Sequence, residues 1–565
     1  MITKMMIVIS CPVSYNRQSG YYTTKSVYAY CRAVPYQIKI TRRLKMKKAK
    51  KILPVILCLA LCLSLFASCK GKTPETSAPA TSGGPVYKEE MIVVLDNNKV
   101  STIDVYNSAS SAPGALWTFR MIYDTLVESA GEGKYKENLA TKWETEDAKT
   151  YTFHLRNDVK FHNGEKFTAN DVLYTINKAR AAEGTLVKQQ WDDVDTINVI
   201  DQYTIQFVLK EVNVEFLFRV SHPAAGIVNE KAITGNPANG SWIGTGPYKV
   251  TDFSTNDFIK MTRNDDYWGQ KALTKKVTLQ YIPEASTRLM MLENDEIDVC
   301  FGIDEFEMPR LIADTAKFTS FKTVMDNTSM IGFNTNDPIT GDRNFRMAVI
   351  SAIDIPAMVK VSMGEFAEVN TSGTYWGVGT AFRNASIPGI PFNVEKAKEY
   401  LAASTYDGST VEISFGIPPA IISAEFIQQA LKGIGVNAEI NQFDMVGLSA
   451  HTKYGENESQ IIVHITPWSK SAVSANGVFK PGGVYNLTSY NNPEVTQLLE
   501  QATTVYDANQ RKELYYRVQE LVAYDVPFYA TFFMHFVAVC RSGVGGVIIS
   551  GDSQNDLRYV HRIIG

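Results

Sequence analysis

The stretch YTFHLRNDVKFHNGEKFTANDVLYTI, residues 151–176, combines a strand pattern, a tight turn and a helix start. Its first residues alternate between apolar and polar, which is typical of a half-buried strand, and the apolar ones are Tyr151, Phe153 and Leu155. The pair at 163–164, Asn-Gly, accepts the positive φ angles of a tight turn. Thr168 followed three residues later by Asp171 predicts a capped helix that runs to about Arg180.

The composition is that of a globular chain. The protein has 565 residues, 45% hydrophobic and 20% charged, which is enough for two or three domains. Residues 1–69 hold twelve Lys or Arg and no Asp or Glu, so the remainder carries 44 basic against 59 acidic residues. Because that remainder repels nucleic acid and anionic lipid surfaces, we expect neither as a partner.

A second local signal begins at Met46 with MKKAKKILPVILCLALCLSLFASC. The cationic start, the short apolar run and the small residues before Cys69 resemble a bacterial lipoprotein signal. The apolar run is too short to span a membrane comfortably. We therefore expect residues 46–68 to be a cleaved signal peptide and Cys69 to carry the lipid. Residues 1–45 precede a signal that has its own methionine, so we expect them to be a misassigned extension.

The segment that follows, residues 69–86, is short of apolar residues and rich in Pro, Ser, Thr and Gly. Such a composition predicts a flexible tether. Beyond it the chain has two cysteines, Cys300 and Cys540. Disulfides therefore do not hold this exported protein together, and the sequence leaves open one bond between the two or two separate buried thiols.

From about Lys88 onward, strand-like and helix-like segments alternate without long low-complexity breaks. DTINVIDQYTIQFVLK and TGPYKVTDFSTNDFIKMTRN each read as a pair of strands, whereas NFRMAVISAID and AEFIQQALKGIG have the apolar spacing of helices. Mixing of this kind predicts an α/β fold.

Several longer motifs follow one another in a characteristic order: MIYDTLVE, the stretch at 151–176, GTGPYKV, NDDYW, LENDEIDV, GFNTNDP, AEFIQQALKGIGVNAEI and YNNPEVTQLLEQA. In this order they resemble the solute-binding proteins of peptide-type ABC transporters, a family that includes oligopeptide, dipeptide and nickel binders. The likeness covers nearly everything after the tether. It implies the periplasmic-binding-protein fold, with mixed sheets, two lobes joined by a hinge, and an extra subdomain in lobe one that contains residues 151–176.

The resemblance also implies lobe boundaries and partners. We expect lobe one at 87–328 and 530–565 and lobe two at 330–528, with crossings near 329–334 and 526–531. Closure about a hinge suits such an arrangement. The implied protein is a monomer held by its lipid anchor on the extracytoplasmic face of the bacterial membrane. It would capture a small-molecule or peptide ligand and deliver it to an ABC permease.

The sequence lacks the motifs that common enzyme classes need. It contains no HExxH, no GxSxG and no P-loop. His154 and His162 fall on a strand and a turn without a third ligand at useful spacing, so we expect no metal site and no cofactor. We therefore expect a binding protein and not an enzyme. A sensory binding protein on the same scaffold and a hydrolase with an unrecognised site are the alternatives.

Three segments supply candidate ligand-binding residues. The loop NTSGTYWGVGTAF places aromatic rings among glycines, where they contact a ligand or, alternatively, fill the core of lobe two. HITPWSKSAVSANGVFKPGG surrounds a tryptophan with hydroxyl groups, and STIDVYNSASSAP follows the first strand. The predicted ligand-binding residues are Tyr106, Asn107, Tyr375, Trp376, Thr466, Trp468 and Ser469.

One departure from the family concerns charge. Peptide-binding relatives often place an acid within the segment that matches 464–483, where it pairs with the α-ammonium group of the ligand. This sequence has no Asp or Glu between Ser459 and Pro493. We therefore expect a ligand that is neutral at that end, unless an acid from elsewhere, such as Asp104 or Glu368, reaches the cleft.

Overall fold

A computed structural model of the protein describes residues 84–96, 99–107, 110, 112–131, 133–182, 186–189, 191–304, 306–416 and 420–565. The predicted extension, the signal peptide, Cys69 and most of the tether lie outside the described residues.

Nineteen strands are found in the described residues, and their bounds follow in chain order. They are β1 (Glu90–Leu95), β2 (Val127–Gly131), β3 (Lys134–Glu137), β4 (Ala140–Glu144), β5 (Thr150–Leu155), β6 (Val194–Asp201), β7 (Thr204–Leu209), β8 (Tyr248–Ser254), β9 (Phe258–Arg263), β10 (Lys276–Tyr281), β11 (Val299–Phe301), β12 (Phe318–Phe333), β13 (Ala367–Val369), β14 (Val411–Phe415), β15 (Ala438–Gln442), β16 (Ile461–Thr466), β17 (Phe528–Arg541), β18 (Val544–Gly545) and β19 (His561–Arg562).

Helices alternate with these strands. They are α1 (Pro113–Ile122), α2 (Ala169–Arg180), α3 (Leu186–Gln189), α4 (Phe216–Ser221), α5 (Glu230–Gly235), α6 (Ala285–Glu293), α7 (Met308–Ala313), α8 (Arg343–Ala352), α9 (Ile355–Ser362), α10 (Val394–Ala402), α11 (Ala420–Gly433), α12 (Met445–His451), α13 (Ser474–Phe479), α14 (Pro493–Thr504) and α15 (Ala508–Asp525).

The strand, turn and helix predicted at 151–176 are confirmed. Apolar side chains of β5 are buried, and Tyr151 and Phe153 pack against the ring of Phe216. In the helix start, Asp171 Oδ2 accepts hydrogen bonds from the backbone N–H of Thr168 at 3.0 Å and from its hydroxyl at 3.1 Å. The helix ends at Arg180, as predicted. Strand β5 belongs to a four-stranded sheet with the order β4-β5-β7-β6.

A larger sheet has the order β15-β14-β16-β12-β17-β11-β1-β10-β9-β8, with β13 also paired to β17. Its centre is the antiparallel pair β12 and β17, which shifts register between Val324 and Thr328. Parallel strands β14, β15 and β16 neighbour each other on one side of this pair. On the other side β1 lies between β10 and β11, parallel to both. The predicted α/β class is therefore confirmed.

Buried side chains form separate clusters on the two sides of the central pair. A first core cluster draws on residues 91–301 and 538–560, and two further clusters draw on residues 330–532. Strand β17 contributes Phe532 to one side and Ala538 to the other. The lobe boundaries given above remain a prediction.

The described chain ends also lie together. The backbone N–H of Val86 donates to the carbonyl oxygen of Gly565 at 2.9 Å, and the N–H of Ile564 donates back to Val86. Leu557 and Val560 are buried in the first core cluster beside β1 residues. The first core is thus completed by the last residues of the chain.

The two cysteines of the globular part are free and buried. In the β11–β17 ladder Cys540 lies opposite Val299, whereas Cys300 lies opposite Val539. Successive side chains of a strand point to opposite faces of the sheet, so the two thiols face away from each other. The open question of a disulfide is thereby answered in favour of separate thiols, and burial raises the pKa of Cys300 to about 12.

Candidate ligand-binding cleft

Five aromatic side chains, Tyr375, Trp376, Trp468, Phe479 and Phe528, pack together; we call them the aromatic cluster. The rings of Trp376 and Phe479 are stacked with centroids 5.3 Å apart, and those of Trp376 and Trp468 lie 5.0 Å apart. The hydroxyl of Tyr375 donates to Thr466 Oγ1 at 2.6 Å. The structure therefore brings four of the predicted site residues together in one closely packed group.

The aromatic cluster has little access to solvent. Relative exposure is 2% for Tyr375, 0% for Trp376 and 3% for Trp468. Within the described residues, the buried Nε1–H groups of Trp376 and Trp468 have no hydrogen-bond partner. A buried donor without an acceptor is costly, so each indole N–H would gain from an incoming acceptor.

The remaining predicted site residues lie at different places. Ser469 directly follows Trp468, is half-buried, and its carbonyl oxygen accepts a hydrogen bond from Thr380 at 2.8 Å. Tyr106 is buried in the first core cluster with the ammonium group of Lys178 4.7 Å from its ring centroid. Asn107 is exposed beside it. Tyr106 therefore belongs to a different core from the aromatic cluster.

Lys470 and Ser471, which follow Trp468, contact residues of predicted lobe one. Lys470 Nζ donates to Ser550 Oγ at 2.8 Å and lies 3.8 Å from Asp552 Oδ2. The hydroxyl of Ser471 donates to Glu215 Oε2 at 2.6 Å. These residues were not predicted as site residues, and no local motif marks them.

Asp326 contacts both the segment at Gly551 and the loop at Gly379. Its backbone N–H donates to the carbonyl of Gly551 at 2.8 Å, and its Oδ1 accepts from the N–H of Gly379 at 2.6 Å. Its Oδ2 is buried and has no hydrogen-bond partner among the described residues. The pKa of Asp326 is raised to about 6, mainly by burial and also by the nearby Asp552 carboxylate, while the hydrogen bond from Gly379 and the charge of Lys470 act in the opposite direction.

Asp104 and Glu368, the two acids that the sequence offers in place of the missing one, lie after β1 and on β13. Asp104 Oδ1 accepts a hydrogen bond from the backbone N–H of Tyr106 at 2.9 Å. Glu368 lies on the short strand β13, opposite Phe533. Acids from outside the segment between Ser459 and Pro493 do contact it. Glu215 accepts a hydrogen bond from Ser471, Asp552 lies 3.8 Å from Lys470 Nζ, and Glu500 lies 2.9 Å from Lys480 Nζ.

A groove of about 830 Å³, which we call the aromatic groove, lies next to the loop that precedes α4. One wall comes from β3–β5 and the loop before α4, and the other from the α14–α15 connection and the start of α15. Its aromatic and charged lining consists of Tyr135, Trp143, Glu144, Glu146, Asp147, Tyr151, Tyr506 and Arg511. Its volume lies within the usual range of ligand pockets, about 300–1,000 Å³.

No group of three His, Cys, Asp or Glu suited to a metal ion occurs in the described part of the chain. His162 Nε2 lies 2.9 Å from the carbonyl oxygen of Gly246, and burial lowers the pKa of this histidine to about 4. Among the described helices, none is long and apolar enough to cross a membrane.

A mixed α/β chain with separate cores joined by two long strands is the architecture of a periplasmic binding protein. The family model "Bacterial extracellular solute-binding proteins, family 5 Middle" matches residues 134–484. The chain belongs to this family, the peptide- and nickel-type solute-binding proteins of ABC transporters, and the predicted resemblance and fold are confirmed. Members of the family are extracytoplasmic binding proteins.

Individual relatives agree with this assignment. The glutathione-binding protein GsiB of Shigella flexneri serotype 5b is 25% identical over 468 residues, which cover 80% of this chain and 90% of the relative. The structure of DppA from Helicobacter pylori in complex with the peptide STSA is similar with a TM-score of 0.65 and 25% identity, over 84% of this chain and 98% of that one. A putative peptide-binding protein, AppA from Clostridium difficile, has a TM-score of 0.74 and 20% identity, over 84% and 100%.

Proposed function

We propose that the protein is a lipid-anchored, monomeric receptor that captures a peptide-like or other small polar ligand between two lobes and delivers it to an ABC permease. No bond of the ligand would be made or broken. The observation that carries the proposal is the contact of Lys470 and Ser471 with Ser550, Asp552 and Glu215. It joins polar groups of the two predicted lobes, next to buried polar atoms that have no hydrogen-bond partner among the described residues.

Relatives support the ligand class. The names of GsiB and of the DppA complex refer to glutathione and to the peptide STSA, which are both small, polar and peptide-like. The proposed contacts of Tyr375, Trp376, Thr466, Trp468 and Ser469 with such a ligand fit this class, because aromatic planes and hydroxyl groups suit amide-rich molecules. Tyr106 and Asn107 would contribute from lobe one.

The test combines two measurements on the purified protein. Native mass spectrometry identifies any molecule that co-purifies with it. Small-angle X-ray scattering then compares the protein before and after the molecule is removed. We expect a smaller radius of gyration with ligand, because hinge closure brings the lobes together. An unchanged radius at saturating ligand, or chemical conversion of the bound molecule, would contradict the proposal.

The anchor is tested separately. We expect Cys69→Ala to move the protein from the membrane fraction to the soluble fraction and to leave its unfolding midpoint unchanged, because the tether separates the cysteine from the globular part. Cys58→Ala is the matched control and should remain in the membrane fraction. Metabolic labelling with a fatty acid that still marks the Cys69→Ala protein would contradict the assignment.

A further inference from the structure

The aromatic groove is separate from the residues that we expect to bind the transported ligand. None of the seven residues predicted for that role lines it. Its volume of about 830 Å³ is that of a site for a whole small molecule. The proposed function therefore leaves this cavity, which has walls from both predicted lobes, without a role.

Aromatic rings lie on both walls of the groove. Tyr135 on β3 and Trp143 on β4 are half-buried and line one wall. In the β4–β5 ladder Trp143 lies opposite Phe153, so it shares a face of the sheet with Tyr151, which is two residues from Phe153. Across the groove, Tyr506 is 53% exposed. The groove therefore offers flat apolar surfaces on two sides.

The carboxylates of the groove differ in whether they have partners. Glu144 pairs with Lys142, and Asp147 accepts hydrogen bonds from two backbone N–H groups of its own loop at 2.8 and 2.7 Å. Glu146 is exposed and has neither an ion pair nor a hydrogen bond with any other described residue. Of the three carboxylates, that of Glu146 is therefore the acceptor that a ligand can use.

Arg511 is the cation of the opposite wall. Its Nη1 donates to the carbonyl oxygens of Val505 and Tyr506 at 3.0 and 2.7 Å, and its guanidinium carbon lies 5.9 Å from the ring centroid of Phe382. Its Nε–H is buried and has no acceptor among the described residues. A buried donor that lacks an acceptor is costly, so this N–H gains from an acceptor that a ligand brings.

These groups together favour one chemical class of ligand. A carboxylate only accepts hydrogen bonds and a guanidinium only donates them, whereas a hydroxyl group does both. A ligand with several hydroxyl groups therefore satisfies Glu146 and Arg511 at once, while a fully apolar ligand would bury both without partners. The C–H faces of a pyranose ring are flat and apolar, which suits contact with aromatic rings.

We propose that the aromatic groove is a second binding site and that it takes a neutral oligosaccharide built from pyranose rings. Trp143 and Tyr506 would pack against the faces of the sugar rings. Glu146 would accept hydrogen bonds from hydroxyl groups of the saccharide, and Arg511 would donate to them. The inference goes beyond the proposed function, because the transported ligand has its own residues. Two sources outside the cytoplasmic membrane carry this chemistry, a free oligosaccharide and the end of a cell-wall glycan strand.

Isothermal titration calorimetry of the purified protein tests the site with three neutral probes: maltotetraose, cellotetraose and tetra-N-acetylchitotetraose. A sedimentation assay with insoluble cell-wall glycan tests the polymer. We expect at least one of these saccharides to bind, both before and after any co-purified molecule is removed from the protein. Binding of a tetrasaccharide shows that a free oligosaccharide is sufficient, whereas binding of the polymer alone identifies the cell wall as the source.

Two pairs of variants test the residues of the groove. Tyr506→Ala removes a ring and should weaken binding of the saccharide about fivefold. Tyr524→Ala, at a tyrosine outside the groove that is 64% exposed, is the matched control and should bind as the wild type does. Glu146→Ala removes a charged acceptor and should weaken binding about tenfold. Its control is Glu425→Ala, at an exposed acid on α11. Unchanged unfolding midpoints show that each variant is folded.

Three outcomes overturn the inference. The first is that neither a tetrasaccharide nor the cell-wall glycan binds. The second is equal affinity within either pair of variants, which would mean that the saccharide binds outside the groove. The third is displacement of a co-purified molecule by the saccharide. Displacement would show that the saccharide competes for the receptor's own ligand site, and it would leave the proposed receptor function standing.

Discussion

Trp468 of the aromatic cluster and the polar residues that follow it are adjacent in sequence and differ in their surroundings. Trp468 is packed among other rings, whereas Lys470 and Ser471, two and three residues later, contact groups of the other predicted lobe. The first region is held by ring packing and burial, and the second by hydrogen bonds and an ion pair. We therefore expect the buried rings to shape the wall against which the ligand packs, and the polar residues to form hydrogen bonds at its edge.

The largest effect is expected from Trp376→Ala. The ring is 0% exposed and stacked on Phe479, so its removal should lower the free energy of unfolding by about 3–5 kcal/mol. Trp143→Ala, at a half-buried position of the aromatic groove, is the control and should lower the free energy of unfolding by about 1–2 kcal/mol. Urea unfolding measures both. Equal losses of unfolding free energy in the two variants would show that Trp376 is no more part of the core than Trp143.

A smaller effect, dependent on pH, is expected at Asp326. Its pKa is raised to about 6 in the folded state, above the ordinary value of 3.8, so the native state binds the proton more tightly. The contribution of this carboxyl to the free energy of unfolding is therefore fully present at low pH. It is lost as pH rises through about 6, a change of about 2–3 kcal/mol.

Urea unfolding of Asp326→Asn at pH 4.5 and 7.5 tests this expectation. The variant should gain stability relative to the wild type mainly at the higher pH, because it never carries the buried charge. Asp192→Asn, at an exposed acid, should follow the wild type at both values. A wild type and Asp326→Asn that differ equally at both pH values would show that this carboxyl does not titrate between them.

Lys470→Met should weaken the contact between the lobes by about 1–2 kcal/mol, because it removes the charged hydrogen bond to Ser550. We expect a larger radius of gyration for the ligand-free variant in X-ray scattering. Lys480→Met removes a lysine that pairs with the exposed Glu500 and should leave the radius unchanged. If both lysines behave alike, Lys470 does not hold the two sides together.

The smallest effect is expected from Tyr375→Phe. The ring remains packed and the variant loses one hydrogen bond, to Thr466 Oγ1, so the loss of stability should be about 1 kcal/mol. Tyr506→Phe, at an exposed position of the groove, should change stability by less than about 0.5 kcal/mol. Thermal denaturation measures the difference. A loss in Tyr375→Phe as large as that in Trp376→Ala would mean that the hydroxyl, and not the ring, organises this region.

Local patterns predicted the local structure well. The alternation at Tyr151, Phe153 and Leu155, and the Thr168 to Asp171 spacing, depend on neighbours within a few residues, so the sequence displays them directly. The aromatic residues of the cleft region were also found, because clustered rings near glycines are visible in a sequence. Their burial was not decided, since it depends on Phe479 and Phe528, far along the chain.

The polar side of the cleft was not predictable in the same way. The Ser471–Glu215 hydrogen bond joins residues 256 positions apart, and no periodicity relates them. The sequence shows that no acid lies between Ser459 and Pro493, but it does not show which distant acid the fold brings to this segment. The contact of Glu215 with Ser471 appears only in the folded structure.

Strand β17 and the residues after it bear on how the protein is made. Ala538, Leu557 and Val560 complete a core whose first strand begins at Glu90, so that core cannot close before Val560 has been synthesised. Contacts this distant in sequence slow folding. A nascent chain that stays open for longer is better suited to passage through a membrane in unfolded form, which is what an exported protein requires.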